Sequence, residues 1–469
     1  MSQPRLSRRI AIDLVAAMDV AAVVIGAFLP ASIYYAAGGV EVHWAVVIQS
    51  ALINSMIFCI CMQVWGMYDT AQLHDLPVRP ARLLMGLIFA SSAAIGIGVP
   101  FNIGEVHLWI WYSTWISASF TCILGARIAC HAILAKLTAA GRFDTRVAVF
   151  GAGEIARRVQ DHLKSQKSGI HFAGVYDDRP LDRVDADGLD IKGPLEDLIK
   201  QGREGKIDSI VIALPQSANT RIEKIANRLE QAPVALHVVT HIASDFIERG
   251  PAHKVSAIGS VGLLDVKAKP LDDWSPIVKR AEDLILGSLL VVLSLPLMAL
   301  IAIAIKLESK GPAIFIQRRR GLNLQEVDVY KFRTMNVQEN GAHIDQAKPN
   351  DPRVTRVGAF LRRTSLDELP QLFNVLRGDM SLVGPRPHAI AHDTRWSEMI
   401  STYGIRYQVK PGITGLAQIK GWRGRIAHNE DLTARVDQDI AYIRNWSLGL
   451  DLQILLRTLG AAICGKNAD

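Results

Sequence analysis

The run Thr364-Ser-Leu-Asp-Glu-Leu-Pro-Gln-Leu-Phe-Asn-Val-Leu-Arg377 places two adjacent carboxylates, Asp367 and Glu368, inside a strongly basic stretch of a 469-residue chain. Arg318, Arg319 and Arg320 come before it, then Lys331 and Arg333, then Arg353, Arg356, Arg362 and Arg363, and Arg386 follows. Cations at this density suit phosphate groups, which guanidinium groups hold with paired hydrogen bonds. A carboxylate set among them is a candidate nucleophile, a candidate metal ligand or a helix cap. Part of the field is ordinary solvated or lipid-facing charge. No nucleic-acid motif accompanies it, so the formal charge of +7 is assigned to phosphates and lipid head groups.

Locally the run reads as a helix N-terminus in one of two registers. Ser365 and Glu368 fit a capping box, but Pro370 then falls inside the helix; alternatively Asp367 is the N-cap. Either way the carboxylates lie at the positive end of the helix dipole. The bland alternative is that both only cap a helix. Arg386 sits between Pro385 and Pro387, which stiffen its backbone for gripping a phosphate. Lys331 and Arg333 are phosphate ligands or structural partners of the acids, and His388 is a base or a hydrogen-bonding residue.

These groups need elements to hold them, and the first third of the chain supplies a membrane anchor. The chain is 49% hydrophobic, and the stretches 10–37, 44–65, 83–101 and 108–135 are nearly free of charge. Each reaches roughly 20 residues, the length that crosses a bilayer. Arg5, Arg8, Arg9, Arg79, Arg82, Lys136, Arg142 and Arg146 mark the sides expected to face the cytoplasm. The first span is too long for a cleaved signal peptide and is read as an anchor. The five cysteines, four of them in these stretches, form neither a disulfide framework nor a metal-ligand pattern.

After Arg146 the pattern becomes strand, glycine turn, helix: Val147 to Phe150, then Gly151-Ala-Gly153-Glu-Ile-Ala156, then a helical run. Strands are expected at 172–176, 209–214 and 234–239, with a helix over 219–229. This predicts a Rossmann-like parallel sheet. Gly151 and Gly153 are candidate nucleotide-binding positions or merely shape the turn, and Asp177 and Asp178 stand where a ribose-binding acid would fall. A nucleotide in this domain stays an open expectation. An NAD-dependent nucleotide-sugar dehydratase or epimerase tethered to the membrane is the first rival reading. It lacks the Tyr-x-x-x-Lys pair, since none of the nine tyrosines has a lysine four residues on.

A fifth apolar stretch, Leu284 to Ile305, has Lys279 and Arg280 before it and Lys306, Lys310 and Arg318 to Arg320 after it. Positive charge on both sides places both ends in the cytoplasm. Pro296 removes a backbone donor near the middle and favours a break or a sharp kink, so a re-entrant hairpin that bends at Ser294-Leu-Pro296 is expected. An ordinary fifth span is the alternative.

The C-terminal third resembles the catalytic domain of bacterial polyprenyl-phosphate hexose-1-phosphate transferases. The shared motifs are Lys279-Arg280-x-x-Asp283, the hydrophobic hairpin with Pro296, Lys331-Phe-Arg-Thr-Met335, Ser365 to Gln371, Gly378 to His388, and Pro411 to Gly415. The four spans and Rossmann-like domain resemble the longer members. The resemblance implies that Asp367 attacks the β-phosphate of a UDP-sugar, with Glu368 the second member of an essential dyad. It also implies Mg²⁺ with Asp367 or Glu368 in its shell, an undecaprenyl phosphate acceptor, a homodimer, and a place in the bacterial inner membrane with the catalytic domain cytoplasmic. Gly421-Trp-Arg-Gly424 followed by residues 437–447 is similar to the glucose-1-phosphate subgroup of exopolysaccharide initiation. Arg425-Ile426 departs from that subgroup's Glu-Thr, which leaves galactose as a competitor.

The expected architecture is therefore a membrane α-helical bundle plus α/β. It comprises a four-helix bundle over 1–140, a Rossmann-like domain over 141–265, and a mixed α/β catalytic domain over 266–469 with the re-entrant helix at 281–306. A non-catalytic scaffold of polysaccharide assembly, in which the acids only cap a helix, is the second rival.

Overall fold

The computed structural model describes residues 7–36, 44–69, 79–96, 105–165, 169–180, 188–215, 218–240, 255–258, 261–267, 269–336, 351–422 and 429–464. The chain forms two compact units, Met1–Asp144 with Lys167–Gly169, and Thr145–Gln166 with Ile170–Asp469.

The first unit is a bundle of α1 (Arg8–Ala36), α2 (Trp44–Val64), α3 (Pro80–Gly96) and α4 (Glu105–Ala139). Segments Arg8–Ile33, Val47–Val64 and Ile110–Ala139 are long and apolar enough to cross a membrane; α3 carries a shorter apolar stretch, Pro80–Ile95. Of the short turns expected between spans, 38–43 and 102–107, the first and residues 102–104 of the second lie outside the described residues, as does the end of the expected third span; residues 105–107 belong to α4. Helices in lipid associate through close packing and hydrogen bonds more than through hydrophobicity. Both operate between α1 and α4. A Cβ on Gly26 would sit 2.8 Å from the Ser119 backbone, so only glycine permits this approach. Two turns away Arg127 and Asp19, both fully buried, form an ion pair, with the Tyr68 hydroxyl donating to Asp19 at 2.8 Å.

The second unit begins with an α/β domain. In chain order it contains β1 (Thr145–Phe150), α5 (Glu154–Ser165), β2 (Ile170–Tyr176), β3 (Ile191–Gly193), α6 (Leu195–Arg203) and β4 (Ser209–Ile212), followed by α7 (Asn219–Leu229), β5 (Ala235–Thr240), β6 (Val255–Ile258) and β7 (Val261–Lys267). The sheet order is β3-β2-β1-β4-β5-β7-β6; β1 to β5 run parallel, and β7 pairs antiparallel with both β5 and β6. The central strands bury side chains on both faces, as strands covered by helices must. The last strand ends at Lys267, two residues beyond the expected boundary at 265.

One helix, α8 (Ser275–Glu308), then leads into the C-terminal domain. Its 34 residues would extend roughly 50 Å if straight. Of the break or sharp kink expected at Pro296 the break is corrected: the helix is continuous through the proline, whose missing donor and ring favour a bend there. Ser294 Oγ donates to the Val291 carbonyl at 3.3 Å just before it.

Both flanks of α8 are tied to the same globular domain. At the start, Lys279 Nζ reaches Asp451 at 2.5 Å, Arg280 donates to the Val375 and Leu376 carbonyls at 2.7 Å each, and Asp283 accepts from Ser381 Oγ and the Leu382 amide at 2.9 Å. At the end, Met298, Ile301 and Ile305 pack with Phe332 and Leu361. Along its other face Ile285, Val292, Leu293, Leu300, Ile303 and Leu307 are exposed, an apolar surface suited to lipid.

The remaining elements enclose one core. The hairpin β8 (Ile314–Arg320) and β9 (Glu326–Phe332) pairs in register Ile314 with Phe332. After it come α9 (Arg356–Thr364), α10 (Gln371–Arg377), β10 (Ser381–Val383), α11 (Ile390–Met399), β11 (Gly412–Thr414), α12 (Leu416–Ile419), α13 (Asn429–Arg444) and α14 (Leu448–Cys464). Val329, Val375, Met380, Tyr403, Val436 and Ile454 form the centre of the core.

Candidate active site

The dyad occupies its own 3₁₀ turn, Leu366–Glu368, between α9 and α10. This corrects both capping registers. Ser365 is the left-handed C-cap of α9 (φ 59°), and neither acid makes a side-chain cap. α10 starts one residue after Pro370, which is itself the N-cap, where its missing N–H breaks no helical hydrogen bond.

Glu368 is buried and enclosed by cations. Arg386 approaches it fork to fork, Nη1 to Oε2 at 3.0 Å and Nη2 to Oε1 at 2.6 Å, while Lys331 Nζ donates to Oε1 at 2.9 Å. Burial alone would raise its pKa; Arg386 and Lys331 outweigh that and hold it well below the usual carboxylate range. Asp367 is the contrasting partner. No hydrogen-bond donor reaches its carboxylate among the described residues, and burial, then the Glu368 charge, raise its pKa. Lys331 on β9 is pushed down to about 8: burial, with Arg319 and Arg386 close by, outweighs its attraction to Glu368.

Two carboxylates side by side are thus separated in role. One is an anion locked into an ion-pair cluster, and the other is a carboxylate with open lone pairs. Three donors already occupy Glu368, two on Oε1 and one on Oε2, so it has less room for a metal than Asp367 has. Asp367 does fit, because Mg²⁺ is commonly held by one or two carboxylates together with substrate phosphates and water. Among the described residues no group of three His, Cys, Asp or Glu could hold a metal by itself.

Arg333 is not at the acids. It donates Nη1 to the Lys310 carbonyl at 2.7 Å and Nη2 to the Ser309 carbonyl and hydroxyl at 2.8 and 2.9 Å, closing the C-terminus of α8. Strand alternation would place it on the same face as Lys331, but β9 ends at Phe332 and the side chain turns away. Lys279, Arg280, Asp283, Ser294 and Pro296 belong to α8, as expected, where the first three fasten it to the domain.

The loop Gly384 to His388 carries Arg386 and is braced from behind. Arg406 donates Nη2 to the Arg386 carbonyl at 2.6 Å and Nε to Asp439 at 2.7 Å, and its Nη1 lies 3.0 Å from His388 Nδ1. His388 also meets the Tyr403 hydroxyl at 2.8 Å, and that hydroxyl donates to Asp393 at 2.7 Å. Burial, with Arg406 and Arg435 alongside, lowers the His388 pKa far below normal, so the ring is neutral. His388 is hydrogen-bonded within this brace and also lines the cleft beside Arg386. Pro385 lines a small cleft together with Arg320, Arg386, Pro387, Arg406 and Pro411.

Sequence reasoning missed this brace, because Tyr403, Arg406 and Asp439 lie far from the acids along the chain. It also left Arg319 in the general basic field. Arg319 Nη2 binds Gln317 Oε1 at 2.7 Å and Nη1 the Pro387 carbonyl, beside the dyad. The i, i+2 spacing of Gln317 and Arg319 on one strand face was the available signal.

In the α/β domain Gly151 has φ +102°, and a Cβ there would lie 3.0 Å from the Ala213 carbonyl and 2.7 Å from Leu214, so the turn requires glycine. Gly153 faces open space. Asp177 is not free for a ribose: it accepts from the Ala152 amide at 2.7 Å and from Arg179 Nη2 at 2.8 Å. Asp178 accepts from the Leu195 amide at 2.8 Å, at the start of α6.

Residues 274–465 match the bacterial sugar transferase family, and residues 63–240 match a CoA-binding domain family. A UDP-glucose:undecaprenyl-phosphate glucose-1-phosphate transferase of Xanthomonas campestris is 33% identical, over 95% of this chain and 90% of its own length. A protein of the same name from Escherichia coli is 39% identical over 69% and 68% of the respective lengths. An Aeromonas hydrophila UDP-N-acetylgalactosamine-undecaprenyl-phosphate N-acetylgalactosaminephosphotransferase is 41% identical over 41% and 45%. The chain belongs to the bacterial polyprenyl-phosphate hexose-1-phosphate transferase family and is a sugar-phosphate transferase.

Proposed function

We propose that this enzyme transfers glucose-1-phosphate from UDP-glucose to undecaprenyl phosphate at the cytoplasmic face of a bacterial inner membrane. The observation that carries the mechanism is the asymmetry of the dyad, with Glu368 bonded to Arg386 and Lys331 while Asp367 is left open. In the first step an Asp367 oxygen attacks the β-phosphorus of the donor. The bond from that phosphorus to the bridging oxygen breaks, UMP leaves with the electron pair, and glucose-1-phosphate is held on Asp367. In the second step an oxygen of the lipid phosphate attacks the same phosphorus and releases the Asp367 carboxylate. Dividing the transfer means that each step brings only one anionic partner to the reacting phosphate.

Arg386 and Lys331 keep Glu368 ionised, and the same cations, which also act on the charge of Asp367, would share charge developing on phosphoryl oxygens there. Mg²⁺ bound at Asp367 would supply charge neutralisation to the diphosphate.

The re-entrant reading of α8 is part of this proposal. It is supported by the attachment of both helix flanks to one domain and by positive charge on either side. A helix that enters and leaves on one side keeps the dyad at head-group depth, where the phosphate of a long prenyl chain lies. The donor sugar follows the names of relatives, and Arg425 and Ile426, which depart from the glucose subgroup, lie outside the described residues.

The test is to incubate purified full-length protein with undecaprenyl phosphate and, separately, UDP-glucose, UDP-galactose and UDP-N-acetylgalactosamine, measuring UMP. Release with UDP-glucose is expected to exceed the others. No UMP from any of them would overturn the reading.

A further inference from the structure

The bracing of Arg386 continues into the α/β domain. Arg406 lies in a buried 3₁₀ helix, Tyr403–Gln408, and that helix is gripped from the opposite side by the turn following α7. Gln408 Nε2 donates to the Glu230 carbonyl and, at 3.2 Å, to the Ala232 carbonyl. Gln231 reaches across to donate to the Ser401 carbonyl at 2.9 Å and is itself held by Arg203 Nη2 at 2.9 Å. A Cβ on Gly404 would lie 3.0 Å from Gln231 Oε1, so the surfaces are in close contact. Arg444 adds an ion pair to Glu230 at 3.2 Å.

The carbonyls used here lie at the C-cap of α7 and in the turn just beyond it, where backbone acceptors have no partner within the helix and need outside donors. Lys267, in the last strand of the α/β domain, already donates to the same Glu230 and Ala232 carbonyls at 2.9 Å. The additional donor from Gln408 therefore serves to dock one domain on the other. From Gln408 the Tyr403–Gln408 helix leads to Arg406, Arg406 holds the Arg386 carbonyl, and Arg386 holds Glu368. Every link is a packed or hydrogen-bonded contact, and Arg406 is buried with its three guanidinium nitrogens engaged.

We infer that Arg406 is the positioning residue for Arg386, and that docking of the α/β domain on the Tyr403–Gln408 helix holds it in register, so that this domain sets the turnover of the distant site. The inference rests on the transfer reaction proposed above. It gives the α/β domain a part in activity that requires no ligand in its glycine turn. Coupling of this kind needs energetic evidence and not only continuity of contacts.

The experiment is a double-mutant cycle in the full-length protein, following UMP release from UDP-glucose. Gln408→Ala and Gln231→Ala, on opposite sides of the domain contact, are each expected to lower kcat by roughly tenfold with KM for UDP-glucose changed less, because small misplacements of a catalytic group reduce the chemical step. Arg406→Lys keeps the charge, loses the fork and should lower kcat further. Combining it with Gln408→Ala should cost less than about threefold more, since both act through Arg386. Fully additive losses would overturn the inference. If Arg406→Lys does not fold, the two glutamine variants decide it: wild-type kcat in both, in folded protein, would equally overturn it. Wild-type protein that releases no UMP would instead sink the reaction on which the inference rests.

Discussion

Arg386 and Glu368 meet as two parallel hydrogen bonds, 3.0 and 2.6 Å long, while Asp367, the residue next to Glu368, receives none from the described residues. The planar guanidinium can face the carboxylate with two nitrogens at once, which a lysine ammonium cannot do. Arg386→Lys is therefore expected to lower kcat/KM by at least about thirtyfold, about 2 kcal/mol in transition-state stabilisation, although the charge is kept. Steady-state UMP release measures it, and an unchanged kcat/KM would show that the paired geometry is immaterial.

The pH profile follows from the same cluster. Asp367 must be ionised to attack, and its pKa is raised, so activity should fall on the acid side at a pH above the ordinary aspartate range. Lys331 must be charged to hold Glu368, and its pKa is lowered to about 8, so activity should decline as pH rises through that value. Lys331→Arg should move the alkaline limb upward, because a guanidinium stays charged. An alkaline limb unmoved in that variant would assign it to another group.

Arg333 is expected to behave as a structural residue. Arg333→Leu removes the donors that close the C-terminus of α8 and should cost about 1–3 kcal/mol of stability. The donor KM should stay within about twofold if Arg333 makes no phosphate contact. Thermal unfolding in detergent together with kinetics separates the two; a raised KM with unchanged stability would return Arg333 to the phosphate site.

How far these roles could be read from residues alone differs from one to the next. The helix at 219–229 was placed to the residue because its apolar positions recur at helical spacing. The acids were found because their motif is local. Their secondary structure was not, since Ser365 adopts a left-handed conformation that a capping pattern does not signal. Pro296 suggested a break or a sharp kink, and the helix passes through it without the break. Lys331 and Arg333 stayed inseparable because the end of β9 decides where each points. The brace through Tyr403, Arg406 and Asp439 was invisible for a different reason: contacts among residues remote in sequence come from packing, and no spacing rule reports them.

The topology of α8 is open to a direct check. In a background with native cysteines replaced, Ser275→Cys and Asn323→Cys flank the helix on its two sides. Both are expected to be shielded from a membrane-impermeant thiol reagent in intact cells and to react once the inner membrane is opened. Labelling of the position-323 cysteine from outside would make α8 a true span and place the dyad on the wrong side for a cytoplasmic nucleotide sugar.

The central claim is that the open carboxylate of Asp367 becomes covalently bonded to the sugar phosphate. Purified full-length protein should be incubated with UDP-glucose labelled in its β-phosphate, without the lipid acceptor, quenched with denaturant and examined by peptide mass spectrometry. The account predicts a hexose-phosphate adduct on Asp367 in the wild-type protein, discharged on adding undecaprenyl phosphate and absent from Asp367→Asn. Wild-type-like turnover by Asp367→Asn, or an adduct on another residue, would contradict it.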